Sequence, residues 1–138
     1  MNEKHPSGWP RVAVLGAGAV GSYFGGMLAR ANYGQVARND LSCWVLAAAA
    51  EEVVAVARAA GVQLPSQDFT AAALKLAQAM GEATSSTAQD IAQGKRTEID
   101  ALNGFVVRRG AELGVPTPVN HTLYALVKLL EENLGENQ

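Results

Sequence analysis

Residues 85–128, SSTAQDIAQGKRTEIDALNGFVVRRGAELGVPTPVNHTLYALVK, decide how the chain is read, because helix starts and stops are legible along most of the stretch. Ser86-Thr87-Ala88-Gln89 fits a capping box, in which the hydroxyl and the amide satisfy each other's free backbone N–H groups at a helix start. Thr97 with Asp100 fits a similar pattern and puts Glu98 in a first turn, where the helix dipole favours negative charge. Ile99, Leu102, Val106 and Leu113 form the buried stripe of that helical region, and Gly114, Pro116 and Pro118 break it. The last helix buries Leu123, Leu126, Val127, Leu130 and Leu134 and leaves Lys128, Glu131 and Glu132 outside. His121 reads as a surface residue near its start.

The same pattern extends towards the N-terminus. In SQDFTAAALKLAQAMG, Asp68 is a capping residue, Phe69, Ala72, Leu76 and Met80 line one face, and Gly81 ends the helix. From Leu41 onward another helix places Val45, Ala49, Val53, Val56 and Ala60 on one face, with Gly61 as its stop. The segment NYGQVARND is short and polar, a poor match to a buried strand.

RVAVLGAGAVGSYFGG, residues 11–26, has a different character. Its glycines make a signal peptide or a membrane helix a poor reading, since each costs about 1 kcal/mol relative to Ala in a helix. Val12–Leu15 has the look of a buried strand, and Gly16-x-Gly18-x-x-Gly21 follows it at once. A helix then begins, with Val20, Phe24, Met27 and Leu28 on one face. In such a dinucleotide-binding turn the glycines make the tight bend, admit the pyrophosphate and let helix and strand pack closely. The phosphates then sit on the helix N-terminus. Gly16, Gly18, Ala19, Val20 and Gly21 are therefore the expected cofactor-binding residues. Arg38 and Asp40 are the local candidates for the ribose end of the cofactor, and solvated loop charges are the alternative for both.

With 138 residues, 49% of them hydrophobic, the chain has the size and composition of one globular domain. A net charge of −2 without a strong Lys/Arg cluster gives no footprint for nucleic acid, and two histidines with one cysteine do not make a usual zinc site. Cys43 forms no internal disulfide, and with no convincing export signal the expected compartment is a reducing cytoplasm. Residues 1–10, polar with two prolines, read as a loose arm.

The order Ser85-Ser86, Gln89-Asp90, Thr97-Glu98-Ile99-Asp100, Leu102-Asn103-Gly104 and Pro116-Thr117-Pro118-Val119-Asn120 closely resembles the C-terminal part of the ketopantoate reductase (2-dehydropantoate 2-reductase) family. GAGAVGSYFGGMLARA is similar to the opening turn of that family. The resemblance implies NADPH-dependent reduction of 2-dehydropantoate, a small 2-keto acid, to pantoate for pantothenate synthesis. It implies Ser86 as the substrate-binding serine and Glu98 as the active-site glutamate that helps organise a catalytic lysine, the general acid for the alkoxide. Three departures stand beside it. About twenty residues separate the glycine turn from the next helix, where a complete nucleotide domain needs several more strands and helices. Lys75, Lys95 and Lys128 do not match the family's lysine motif, and position 87 is Thr where the family often has Met.

The expected architecture is mainly α with a short N-terminal βα(β) Rossmann-type fragment. The expected divisions are an arm (1–10), a truncated dinucleotide-binding unit (11–42) and a helical substrate or dimerisation domain (43–138). Val12–Leu15, as a single strand, needs a partner. A non-catalytic helical module, self-associating through its Ala/Val-rich faces and its unpaired strand, is the alternative function. No membrane or nucleic-acid partner and no metal are expected.

Overall fold

A computed structural model describes residues 31–136, in which six helices follow one another. They are α1 (Tyr33–Arg38), α2 (Asp40–Ala59), α3 (Phe69–Met80), α4 (Ser86–Ala92), α5 (Asn103–Leu113) and α6 (Pro118–Glu136). There is no strand among the described residues. The expected strand at Val12–Leu15 and the glycine turn after it lie outside them. None of the described helices is long and apolar enough to cross a membrane.

Residues 32–40, where a nucleotide unit would place its second strand, form α1 and the start of α2 instead. The cause is local. Asn32 and Gln35 make a reciprocal capping box, each side chain accepting the other's backbone N–H at 2.9 Å. Asn39 then starts the next helix by accepting from the Leu41 and Ser42 N–H groups, both at 3.1 Å. The Ser42 hydroxyl donates back to the Val36 carbonyl at 2.7 Å, locking the corner. The division drawn between residues 42 and 43 thus falls inside α2.

α2 is the central element, touching α1, α3, α5 and α6. Its Ala49 and Ala50 and the facing Ala73 and Ala77 of α3 are fully buried, so small side chains bring these helices close together. Tyr33, Val36, Leu46, Leu76 and Leu123 complete this cluster, and Val53, Val56 and Val106 form a second. The expected faces hold with three corrections. Ala60 follows the end of α2 and is exposed, the buried face of α3 turns from Ala72 and Met80 towards Ala73 and Ala77, and Glu131 is folded inward on α6.

Two joints set the register. The Gly34 N–H donates to the Gly81 carbonyl at 2.7 Å, seating α1 on the end of α3. Gly110 lies so close to the following loop that a Cβ there would stand 2.7 Å from the Val115 carbonyl oxygen and 2.8 Å from Thr117 Cγ2. Gly114 ends α5 at φ +70°, a left-handed conformation that favours glycine, and turns the chain into α6.

Candidate functional site

The turn from Arg96 to Leu102, between α4 and α5, is built around one buried side chain. Ile99 is fully buried and anchors the turn, while Thr97 and Asp100 face polar partners on α6. The Thr97 N–H and hydroxyl both donate to Glu131 Oε1, at 2.7 and 2.6 Å. Glu131 Oε2 pairs with Lys128 Nζ at 2.8 Å, and Lys128 Nζ reaches Asp100 Oδ2 at 3.0 Å. The Tyr124 hydroxyl donates to Asp100 Oδ1, and Arg108 donates to the Asp100 carbonyl at 2.9 Å.

These contacts set the protonation of the network. Hydrogen bonds from Tyr124 and Lys128 hold the Asp100 carboxyl below its ordinary range, and the same contact with Asp100 raises the Tyr124 phenol. Bonds to Glu131 and Asp100 push the Lys128 ammonium up. Burial pushes Glu131 up, but bonds from Lys128 and Thr97 outweigh it and leave the group below its usual value. Near neutral pH the network therefore holds two carboxylates around one ammonium.

Glu98 sits in the middle of this turn and is exposed. Its carbonyl accepts the Ala101 N–H at 2.9 Å and the Leu102 N–H at 3.2 Å, which holds its backbone on the C-terminal side. The helix pattern expected from Thr97 and Asp100 is a turn instead, because α5 begins only at Asn103. Thr97 Oγ1 does accept a local N–H, that of Ile99 at 3.2 Å, but Asp100 is drawn away to Tyr124 and Lys128.

Ser86 is the first residue of α4 and is exposed. Its expected capping role belongs to Ser85, whose buried hydroxyl accepts the Ala88 N–H at 3.1 Å. The cap is displaced by one residue because Ser85 has the extended backbone of a cap and Ser86 is already helical. Gln89 instead turns its amide to Thr84. The Ser86 hydroxyl is thus left facing solvent.

Arg38 ends α1, exposed, with its guanidinium passing near Gly34. It is not part of the constellation around Glu98. Gly16, Gly18, Ala19, Val20 and Gly21 lie outside the described residues. Lys75 and Lys95 are exposed, and Lys128 is committed to its two carboxylates. His121 is exposed, as expected from its position.

A second polar cluster lies in the core. Glu52 on α2 accepts the N–H groups of Val119 and Asn120 at 2.8 and 2.9 Å, capping α6 from another helix. Asn120 Nδ2 reaches Glu52 at 2.7 Å and the Ala49 carbonyl at 3.1 Å, and its Oδ1 accepts from Asn103 at 3.2 Å. Glu52 and Tyr124 had no expected role, Asn103 and Asn120 stood only within the family resemblance, and Glu131 was expected on the outer face of the last helix. One signal was available, since Tyr124, Lys128 and Glu131 stand four and three residues apart, on one helical face.

Residues 25–131 match the family described as "Ketopantoate reductase PanE/ApbA C terminal". The 2-dehydropantoate 2-reductase of Pyrobaculum aerophilum is 46% identical over 82 residues, 59% of this chain and 29% of that protein. That of Caulobacter vibrioides is 34% identical over 121 residues, 86% of this chain and 39% of that protein. The crystal structure of a ketopantoate reductase from Ralstonia eutropha JMP134 is 42% identical, with a TM-score of 0.81. It covers 90% of this chain, which spans 41% of that one. The matched segment thus spans well under half the length of each of these relatives.

Proposed function

The chain belongs to the ketopantoate reductase family, and on that premise we propose that it serves the NADPH-dependent reduction of 2-dehydropantoate to pantoate as the helical, substrate-binding part of the site. The observation that supports this most is the fastened turn at 97–100, which leaves the Glu98 carboxylate exposed while its neighbours are tied down. In this reading Ser86 donates its free hydroxyl to the 2-keto acid, and Glu98 orients the group that protonates the developing alkoxide. The cytoplasm is the compartment that goes with this reading.

The described residues do not fit a dinucleotide by themselves. They include no strand, and Arg38 ends a short helix rather than following one. In this reading the cofactor is held by Gly16–Gly21, the residues of the expected dinucleotide turn.

The test is oxidation of NADPH by the full chain with and without 2-dehydropantoate, alongside calorimetric titration with NADPH and NADH. Substrate-dependent oxidation and a preference for NADPH are expected. Their absence in a protein with a helical circular-dichroism spectrum would count against the reading.

A second reading has its own observation. Leu41 and Trp44, in the first turns of α2, are 79% and 66% exposed, an apolar surface of the kind that marks self-association. In this reading the chain is a non-catalytic helical module that pairs with itself. Light scattering decides it, since a monodisperse monomer at working concentration removes it.

A further inference from the structure

The geometry points to Glu131 as the positioning residue that presents Glu98, an inference that rests on the role of Glu98 given above. Three features carry it. The Glu131 side chain is only 7% exposed, although it stands on a helix face the sequence leaves to solvent. One of its oxygens takes both donors of Thr97, the residue immediately before Glu98, at 2.7 and 2.6 Å. The other holds Lys128, which in turn ties Asp100, two residues after Glu98. One buried carboxylate thus fastens the chain on both sides of an exposed one. Groups that act in a site are held to their geometry by such supporting hydrogen bonds, and a looser support costs function without removing the acting group.

Glu98 keeps its position only while the Thr97 donors are held. Glu131→Ala removes both acceptors and releases the Lys128 clamp. Glu131→Gln keeps one carbonyl oxygen for Thr97 and loses the charge. The experiment is amide hydrogen exchange of the full chain under native conditions, read at Thr97, Ile99, Ala101 and Leu102. Binding of 2-dehydropantoate is measured on the same variants, with the exposed Glu132→Ala as control.

Glu131→Ala should speed exchange at these amides about tenfold or more, while amides of α2 and α3 are unchanged. Glu131→Gln should restore most of the protection, and substrate affinity should follow the same order. Unchanged exchange in Glu131→Ala, or a loss spread evenly over all helices, would overturn the inference. Should that variant fail to fold, Thr97→Val removes the hydroxyl and the Ile99 contact and should give the same local effect at smaller amplitude. Wild-type protein that binds no 2-dehydropantoate, yet shows this exchange pattern, would overturn the proposed function and leave the positioning intact.

Discussion

The Glu52 carboxylate on α2 caps α6 through Asn120, whose backbone and side-chain amides both donate to Glu52 Oε2, while Oε1 accepts the Val119 N–H. A helix start normally takes its cap from the preceding residue. Here Pro118 opens α6 without an N–H, and the donors of the next two residues go to another helix. The cap is therefore also a tertiary contact, and it fixes α6, with Tyr124, Lys128 and Glu131 on it, against the central helix.

Glu52→Ala should destabilise the fold by about 2–4 kcal/mol, since it strands several partly buried donors of a charged acceptor. Glu52→Gln, with one acceptor oxygen left, should lose less. Urea unfolding followed by circular dichroism checks both. Equal stability of Glu52→Ala and wild type would mean that α6 is held by apolar packing alone.

Gly110→Ala sets propensity against packing. Helix propensity alone favours alanine by about 1 kcal/mol. The added methyl would stand 2.7 Å from the Val115 carbonyl oxygen, which is backbone and is itself fixed by the loop. Overpacking of this kind costs about 1–3 kcal/mol, so a net loss of stability is expected. A raised melting temperature would show that the loop yields.

Neighbouring serines should separate stability from binding. Ser85→Ala should cost about 1 kcal/mol through the lost cap, whereas Ser86→Ala should leave the melting temperature close to wild type. Under the proposed function, Ser86→Ala instead weakens 2-dehydropantoate binding. The reverse pattern would exchange the two roles.

The network around Asp100 gives stability a definite pH window. Asp100 and Glu131 are both held below their ordinary values, so their contribution is complete above about pH 5 and is lost as the pH falls through the lowered values. Lys128 is raised, so its contribution is complete below about pH 10 and is lost as the pH rises through the raised value. Melting temperature measured against pH should fall at both ends. Glu131→Gln should flatten the acid limb, and an acid limb unchanged by that substitution would remove Glu131 from the account.

Much of this fold was legible from the chain itself. Asp68, Gly81, Gly114 and the apolar spacing of α2 and α6 mark helices that the structure contains, because caps and periodicity are local properties. The cap at Ser85 and not Ser86 was missed by one residue, since two adjacent serines offer the same chemistry and only the backbone chooses between them. The inward turn of Glu131 was missed for a different reason. Lys128, three residues before it, suits an exposed pair as well as a buried one, and the partner that draws the carboxylate inward, Thr97, stands 34 residues away. Asn103 and Asn120 pair inside the core for the same kind of reason, since their meeting depends on how α5 and α6 cross.

Calorimetric titration of 2-dehydropantoate into wild type, Ser86→Ala and Glu98→Gln asks whether the fastened turn and the start of α4 form the proposed 2-keto acid site. Saturable binding to wild type, weakened about tenfold or more in each variant while their melting temperatures stay near wild type, is the predicted result. No binding to the folded wild-type protein, or equal binding by all three, would contradict it.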